Sequence, residues 1–415
     1  MHPVTIPPET IDSGEVTTMR ISKRVAEIRP SMTLAVSAKA KAMKAAGMDV
    51  VGFGAGEPDF RTPDPVCEAG VRAIRDGHHG YIVPSSGLSE LKAAVADYLR
   101  RRCGLAYEPA QIIITCGGKH ALFEACLAVL EPGDEAVLPA PYWVSYPEMI
   151  RFAEAREVIV AAGAEAGFKM TPEQLAAAIT KRTRLVILNS PSNPTGIVYT
   201  RDELAALADV VAGRDIWIFS DEIYNELVYD SVKTCAFALA RDGLTEQTVT
   251  FGGASKTWAM TGWRIGWAAG PENLIQAMGN LQSQSTSNPA SISQYAALEA
   301  VSGSQETVAK MREEFDRRRL YMLDRLSGMP GVHCVRPQGA FYCFPDVSAT
   351  YDRVLGRGAE EPKSAAFATR VLEETHVAVV PGAAFGDDNC VRLSFAASME
   401  QIEKGLDRLE EFLSA

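Results

Sequence analysis

Seven short apolar runs, rich in β-branched residues, alternate with amphipathic stretches between about residues 65 and 300. The runs are 112–115, 135–139, 156–160, 185–189, 216–221, 249–253 and 265–270. Glycine, proline or asparagine bounds them, as is typical of buried strands. One intervening stretch begins with a capping box, Thr200 and Glu203, which predicts a helix start. Strands that are apolar on both faces and separated by helices favour an α/β fold, with a mostly parallel sheet covered on both sides.

The last hundred residues have a different pattern. A charged helical stretch, the runs "GAFYCF", "VAVVPG" and "VRLSF", and a terminal amphipathic helix predict a separate α+β layer. We expect four parts: a disordered extension, an N-terminal segment that joins the small domain, a large domain, and a small C-terminal domain. Their bounds are 1–18, 19–64, 65–305 and 306–415.

Composition excludes several classes of function. The net charge of −11 argues against binding to nucleic acid or to anionic membranes, since both need a basic face. The sequence contains no apolar stretch of the ~18 residues that a membrane span requires. The eight cysteines form no CxxC pair, which indicates reduced thiols and a cytoplasmic location.

Polar residues follow several of the predicted strands, at the sheet edge where α/β proteins bind ligands. Two glycines and Lys119 follow the first run and precede a helix, which suits a phosphate or a tight turn equally well. Asn193 lies in a proline-rich turn, and by itself this position indicates only a turn. Asp221 ends a very apolar run, so it requires a cationic partner or serves as an exposed helix cap.

Lys256 follows another strand and lies near Trp258, Met260 and Trp263. A lysine in such apolar surroundings loses its proton readily, so it can attack an aldehyde. One ligand accounts for all of these residues, namely pyridoxal phosphate, whose pyridine nitrogen, phenolic oxygen, phosphate and aldehyde need different partners. We interpret Lys256 as the residue that anchors this cofactor.

A set of motifs in the same order resembles the fold-type-I aminotransferases, and most closely the prokaryotic aspartate aminotransferases of the Ib type. The motifs are "AGEPDF", "YIVPSSGLSELKAAVADYL", "GGKHALF", "PYWVSYPEM", "NSPSNPTG", "SDEIY", "SKTWAMTGWRIG" and "VRLSF". The resemblance extends from about residue 20 to the C-terminus. It implies a large domain with a mostly parallel seven-stranded sheet flanked by helices, and a smaller α+β domain.

The resemblance also implies roles for individual residues. Lys256 would form a Schiff base and shuttle a proton, while Asp221 and Tyr224 would assist at the cofactor ring. The residues implied to bind the cofactor are Gly118, Lys119, Trp143, Asn193, Asp221, Tyr224, Ser255, Lys256, Arg264 and, from a neighbouring subunit, Tyr81. Those implied to bind the substrate are Gly56, Lys119, Trp143, Asn193, Arg392 and Arg29. A homodimer with shared active sites follows from the role of Tyr81.

The implied activity is a ping-pong transfer of the amino group of L-aspartate or glutamate to 2-oxoglutarate or oxaloacetate. Arg392 would bind the α-carboxylate through two parallel hydrogen bonds, which lysine could not reproduce. Lys119 would meet the side-chain carboxylate. Arg29 occupies the place of a cation that helps some Ib-type enzymes to aminate prephenate. Gly253 replaces a serine found in many relatives, which leaves Ser255 as the candidate for that phosphate contact.

Two alternatives remain at this stage, since a lyase could use the same cofactor site and a prephenate aminotransferase the same substrate cations. A DNA-binding regulator with an aminotransferase-like domain is disfavoured, because no winged helix fits before residue 20. We expect no metal site, since His120 has no histidine, cysteine or acidic partner at metal-ligand spacing. The run "MREEFDRRR" predicts a solvated helix face with charge pairs.

Overall fold

The structure is a computed structural model that describes residues 19–26, 28, 32–356, 358 and 362–415. The predicted extension at 1–18 therefore lies outside the described residues. Within them, the strands are β1 Val51–Gly52, β2 Ile112–Thr115, β3 Glu135–Ala140, β4 Arg156–Ala161, β5 Thr183–Asn189, β6 Trp217–Asp221, β7 Thr248–Gly253, β8 Gly266–Ala269, β9 Tyr342–Cys343, β10 Val377–Ala378, β11 Val380–Pro381 and β12 Val391–Ser394.

The helices connect and cover these strands. They are α1 Lys23–Ala26, α2 Met32–Ala45, α3 Asp64–Arg75, α4 Ser89–Cys103, α5 Gly118–Val129, α6 Tyr146–Phe152, α7 Pro172–Ala178, α8 Arg201–Val211, α9 Ala254–Thr257, α10 Glu272–Gln284, α11 Ser291–Ser302, α12 Glu306–Gly328, α13 Tyr351–Leu355, α14 Lys363–Thr375 and α15 Met399–Ser414. The predicted capping box begins α8, where the Thr200 hydroxyl accepts from the backbone N–H of Glu203.

The seven predicted strands form one sheet in the order β2-β8-β7-β6-β5-β3-β4. Its central pairs are parallel, as predicted, and β8 alone runs antiparallel to both of its neighbours, β2 and β7. Alternate side chains of β5 point to opposite faces. Leu185 and Ile187 pack in the cluster that contains α5 and α6, while Val186 and Leu188 pack against α8. Helices therefore cover both faces.

The edge strand β4 departs from the prediction of strands apolar on both faces. Val160 is the only buried residue of this strand, and Ile159 is 43% exposed. An edge strand needs only one buried face, so its apolar run reflects β-propensity more than burial.

The last hundred residues build a second layer around a three-stranded antiparallel sheet, β11-β12-β9. The run "VAVVPG" divides between two sheets, because β10 pairs with β1 while β11 pairs with β12. Side chains of β1, β9 and β12 share one core with α12, α14 and α15. This core attaches the segment around β1 to the C-terminal layer.

The prediction that "MREEFDRRR" forms a solvated face is wrong for two arginines of α12. Arg319 is fully buried and binds Asp230 at 2.7 Å, and Arg318 binds Asp59 at 2.8 Å. Hydrogen bonds from Arg336 and Arg319 also hold the pKa of Asp230 well below its usual range. The predicted charge pairs within the helix do form, for example between Arg317 and Glu314. The run of three adjacent arginines did not indicate which of them are buried, because helical rotation carries neighbouring residues to different faces.

Candidate active site

A cavity of about 510 Å³ opens at the carboxyl ends of β5, β6 and β7, between the large sheet and the C-terminal layer. Its wall also includes the loop that contains Gly56 and the start of α5. All of the predicted site residues except Tyr81 and Arg29 line it, namely Gly56, Gly118, Lys119, Trp143, Asn193, Asp221, Tyr224, Ser255, Lys256, Arg264 and Arg392. Parallel strands bring residues far apart in sequence to one sheet edge, as expected for α/β proteins.

Lys256 lies on the short helix α9, directly after β7. Its neighbours Ala254 and Trp258 are buried, and its ammonium donates a hydrogen bond to the carbonyl oxygen of Gly56. Burial lowers the pKa of Lys256 from 10.5 to about 8. At pH 7 roughly a tenth of such an amine is uncharged, against about 0.03% for an ordinary lysine. The geometry thus supplies a nucleophilic amine at the cavity wall.

Asp221 ends β6 and is only 5% exposed. The hydroxyl of Tyr146 donates to one carboxylate oxygen at 2.6 Å, and the backbone N–H of Ile223 donates to the other at 3.2 Å. Burial raises the pKa of Asp221 to about 6, although both hydrogen bonds act in the opposite direction.

Asp221 has neither of the surroundings that the sequence suggested. It is not an exposed cap, and in the described part of the chain no cation forms a salt bridge with it. Tyr224 lies in the turn after β6 rather than on a helix. A buried carboxylate at a cavity wall, without a salt bridge to any described residue, suits a cationic group on a ligand.

Arg392 lies on β12 and is 4% exposed. Its guanidinium donates to the side-chain oxygen of Asn193 at 2.9 Å and to the carbonyl oxygen of Gly54 at 3.1 Å, while its Nε has no hydrogen-bond partner among the described residues. Burial lowers the pKa of Arg392. No carboxylate pairs with it among the residues whose positions are described. This buried guanidinium therefore suits a carboxylate on a ligand.

The turn before α5 can hold an anion. Gly117 has a φ of +84°, and a Cβ on it would lie 2.5 Å from a guanidinium nitrogen of Arg264. A Cβ on Gly266 would overlap the backbone nitrogen of Gly118. Glycine at 117 leaves room for Arg264 beside the free N–H groups that begin α5, and glycine at 266 lets β8 pack closely against the same turn. Buried Ser255 lines the same region, so the donor set suits a phosphate.

Lys119 and Trp143 form the outer wall of the cavity. The Lys119 ammonium lies 5.0 Å from the centre of the Trp143 ring, and burial together with Arg264 lowers the pKa of this lysine. The ring meets Tyr146 edge-on at 5.3 Å. Lys119 is thus a further cation at the cavity, besides Arg264 and the buried Arg392.

Two predicted site residues are not brought to this cavity. Tyr81 is 91% exposed in the single chain, so its contact with a neighbouring subunit stays a prediction. Arg29 lies outside the described residues.

The structure also adds residues that the sequence analysis missed. Tyr146 follows Trp143 by three residues, a spacing that could have indicated a shared side of the site. Tyr342 lies under Arg392, with 4.5 Å between the guanidinium carbon and the ring centre, and no sequence signal marked it. At the mouth, the Thr261 hydroxyl donates to Glu57 at 2.7 Å.

His120 does have an acidic partner, contrary to the sequence analysis. One turn along α5, an oxygen of Glu124 lies 3.3 Å from its Nε2. Burial raises the pKa of Glu124 to about 7 and lowers that of His120. Within the described ranges, no group of three or more potential ligands surrounds them.

The residues present fit pyridoxal phosphate by the chemistry of their donors. The buried Asp221 carboxylate suits a protonated ring nitrogen, the amides before α5 with Arg264 suit a phosphate, and Lys256 suits an aldehyde. Arg392 then remains for the carboxylate of a second molecule. This fold and this site define an aminotransferase-type arrangement.

Comparisons with known proteins agree. The profile of the family "Aminotransferase class I and II" matches residues 48–409. The chain is 51% identical, over 94% of its length and 98% of the relative, to an aspartate/prephenate aminotransferase of Cereibacter sphaeroides.

Solved structures show the same likeness. The aspartate aminotransferase of Rhizobium meliloti superposes with a TM-score of 0.90 at 40% identity, covering 96% of this chain and 99% of that one. That of Thermus thermophilus with maleate gives 0.88 at 43% identity, covering 95% and 100%.

The chain belongs to the class I and II aminotransferases, which depend on pyridoxal phosphate. No helix among the described residues is long and apolar enough to cross a membrane.

Proposed function

We propose that this aminotransferase moves the amino group of L-aspartate to a 2-oxo acid such as 2-oxoglutarate, in a ping-pong cycle, and also accepts glutamate and oxaloacetate. One observation carries the proposal. The buried guanidinium of Arg392 has no carboxylate partner in the described chain and lines the same cavity as the low-pKa amine of Lys256. The names of the relatives above support the same substrate.

Pyridoxal phosphate supplies, when bound, a conjugated ring that stabilises negative charge at the substrate Cα. Asp221 would hold the ring nitrogen with its carboxylate and stabilise the protonated form. Lys256 would take the proton from the substrate Cα and deliver it to the carbon that was the cofactor's aldehyde, for which a pKa near the working pH is suited.

The remaining residues bind and orient the cofactor. Asn193 and Tyr224 would donate to its phenolic oxygen, and Trp143 would cover one face of the ring. The residues that we assign to the phosphate are Gly118, Lys119, Ser255, Arg264 and Tyr81 of the partner subunit.

The substrate carboxylates are assigned to two cations. Arg392 takes the α-carboxylate, because its buried fork offers parallel donors and Asn193 fixes its orientation. Lys119 would meet the side-chain carboxylate, and the backbone of Gly56 would contact the substrate. Arg29 keeps the role toward prephenate that the resemblance implies.

We also propose that the chain acts as a homodimer with shared active sites. Support comes from exposed apolar side chains near the segment around Tyr81, such as Val83 at 86% exposure. The side chain of Asn288 donates to the carbonyl oxygens of Ile82 and Pro84, which links this segment to the rest of the described chain. The domain division given above and a cytoplasmic location, where all eight cysteines would stay free thiols, belong to the same proposal.

A second candidate is prephenate as amino acceptor. Its support is the name of the relative from Cereibacter sphaeroides and a second cavity of about 390 Å³, which shares Lys119 and Arg264 with the first. Apolar side chains line this second cavity, including Ile28, Phe123 and Met149. An apolar wall next to a cation suits a substrate that carries both a ring and a carboxylate.

A half-reaction tests both candidates. The protein loaded with pyridoxal phosphate is mixed with L-aspartate without an acceptor, while its visible absorbance is followed. We expect rapid loss of the colour and its return with 2-oxoglutarate, and a separate sample tests return with prephenate. Lys256→Ala should show neither change. Colour that persists with aspartate and with glutamate would contradict the proposal, and pyruvate or ammonia released without an acceptor would favour a lyase.

A further inference from the structure

Tyr342 lies between two proposed functional side chains without having been assigned a role. It begins β9, where it pairs with Ser394 of β12, so it shares a face with Arg392, two residues along that strand. Its side chain is fully buried and lines the cavity.

The hydroxyl of Tyr342 contacts Tyr224. Their two oxygens are 3.0 Å apart, and either phenol can be the donor. Burial raises the pKa of both phenols, so both stay protonated at neutral pH. Only one proton fits between the oxygens. The other hydroxyl proton must point elsewhere. When Tyr342 donates to Tyr224, the Tyr224 proton is free to point to an acceptor in the cavity.

The ring of Tyr342 supports Arg392. The guanidinium carbon lies 4.5 Å from its centre and 5.0 Å from the centre of the Phe385 ring. The Asn193 side chain and the Gly54 carbonyl oxygen accept from its two terminal nitrogens. The rings thus stabilise the buried charge where no carboxylate of the described chain does so.

Backbone packing fixes the position of Tyr342. Gly196 has a φ of +68°, and a Cβ on it would lie 3.2 Å from the carbonyl oxygen of Tyr342. A Cβ on Gly339, three residues earlier, would lie 2.6 Å from Pro191. The segment before β9 therefore packs closely against the turn that contains Asn193.

We propose that Tyr342 is a positioning residue that acts on both halves of the site. Its hydroxyl orients the phenol of Tyr224 toward the cofactor, and its ring holds the guanidinium of Arg392 in the plane that receives a carboxylate. The inference rests on the proposed function, because it uses the roles given there to Tyr224 and Arg392.

The two contacts can be removed separately. Tyr342→Phe removes the hydroxyl and keeps the ring, whereas Tyr342→Leu removes both. Tyr351→Phe is the matched control, because this phenol donates to the carbonyl oxygen of Asp388 and neither residue lines the cavity. Thermal melting of each variant reports folding.

Two readouts report the two contacts. The pH midpoint of the visible absorbance of the loaded protein reports the Tyr224 side, and the dissociation constant of maleate, an unreactive dicarboxylate, reports the Arg392 side. Tyr342→Phe should displace the midpoint by about 0.3 to 1 unit, equal to a 2- to 10-fold change, and leave maleate binding within twofold. Tyr342→Leu should also weaken maleate about 10- to 30-fold.

A double variant shows whether the effect passes through Tyr224. In a Tyr224→Phe background, Tyr342→Phe should cause no further displacement, whereas a general structural effect would persist. An unchanged midpoint in Tyr342→Phe, or a displacement that persists in the double variant, would overturn the inference. Wild-type protein that keeps its colour with aspartate would instead contradict the proposed function, so the two failures are distinguishable.

Discussion

Tyr146 should control the charge of Asp221, and Tyr146→Phe tests this. The substitution removes only the hydroxyl that donates to the carboxylate at 2.6 Å. A hydrogen bond to a charged group contributes about 1.5–3 kcal/mol, which corresponds to about one to two pKa units. The pKa of Asp221, already raised to about 6 by burial, should therefore rise to about 7–8 in the variant.

The consequence is a loss of cofactor affinity that depends on pH. At pH 7 the ionised fraction of Asp221 should fall from about nine tenths to between about a half and a tenth. Because the carboxylate is needed to stabilise a protonated ring nitrogen, the variant should bind pyridoxal phosphate about 2- to 10-fold more weakly at this pH. Above about pH 9 both proteins carry the charge, so the difference should disappear.

The assay is an equilibrium titration of the cofactor-free protein with pyridoxal phosphate between pH 6 and 9. The ratio of the two dissociation constants, variant to wild type, cancels the titration of the ligand itself. Tyr199→Phe is a suitable control, because this buried phenol accepts only the backbone N–H of Met170, outside the cavity. A ratio that stays at one, or a loss equal at every pH, would refute the reasoning.

Three further predictions concern other residues of the site. Burial raises the pKa of Asp221 in the folded protein from 3.8 to about 6, so the folded state binds this proton more tightly than the unfolded state does. Protonation of Asp221 therefore stabilises the fold below about pH 3.8, and this stabilisation is lost as the pH rises to about 6. Asp221→Asn should therefore raise the free energy of unfolding of the cofactor-free protein at pH 7 by up to about 3 kcal/mol, measured by urea denaturation, and flatten its fall between pH 4 and 6. Arg392→Lys should raise KM for aspartate about 10- to 100-fold in steady-state kinetics, because an ammonium lacks the parallel donors; an unchanged KM would exclude the assigned role. Gly117→Ala should weaken cofactor binding in the same titration, because its Cβ would meet the guanidinium of Arg264 in a backbone conformation that suits glycine. Unchanged affinity would contradict the assignment of the turn before α5 to the cofactor phosphate.

The strands and the residues at their ends could be predicted because their signals are local. Short apolar runs define β2 to β8. Asp221 is the last residue of one such run, and Lys256 comes three residues after the end of another. The parallel sheet then brings these ends together, as general topology requires. The antiparallel direction of β8 has no such local signal.

Contacts that depend on tertiary packing could not be predicted in the same way. Tyr342 meets Arg392 only because β9 pairs with β12, and Arg319 is buried only because Asp230 comes from a distant turn. The roles of Tyr81 and Arg29 came from resemblance, and they stay predictions.

The central claim is that Lys256 is the amine that captures the cofactor. The most direct test is reduction of the loaded protein with borohydride, followed by peptide mass mapping of the trapped label. Burial also lowers the pKa of Lys92 and Lys119, so these lysines are internal competitors. We predict label on the peptide that contains Lys256 and none there in Lys256→Ala. Label on Lys92 or Lys119 instead, or no label at all, would contradict the account.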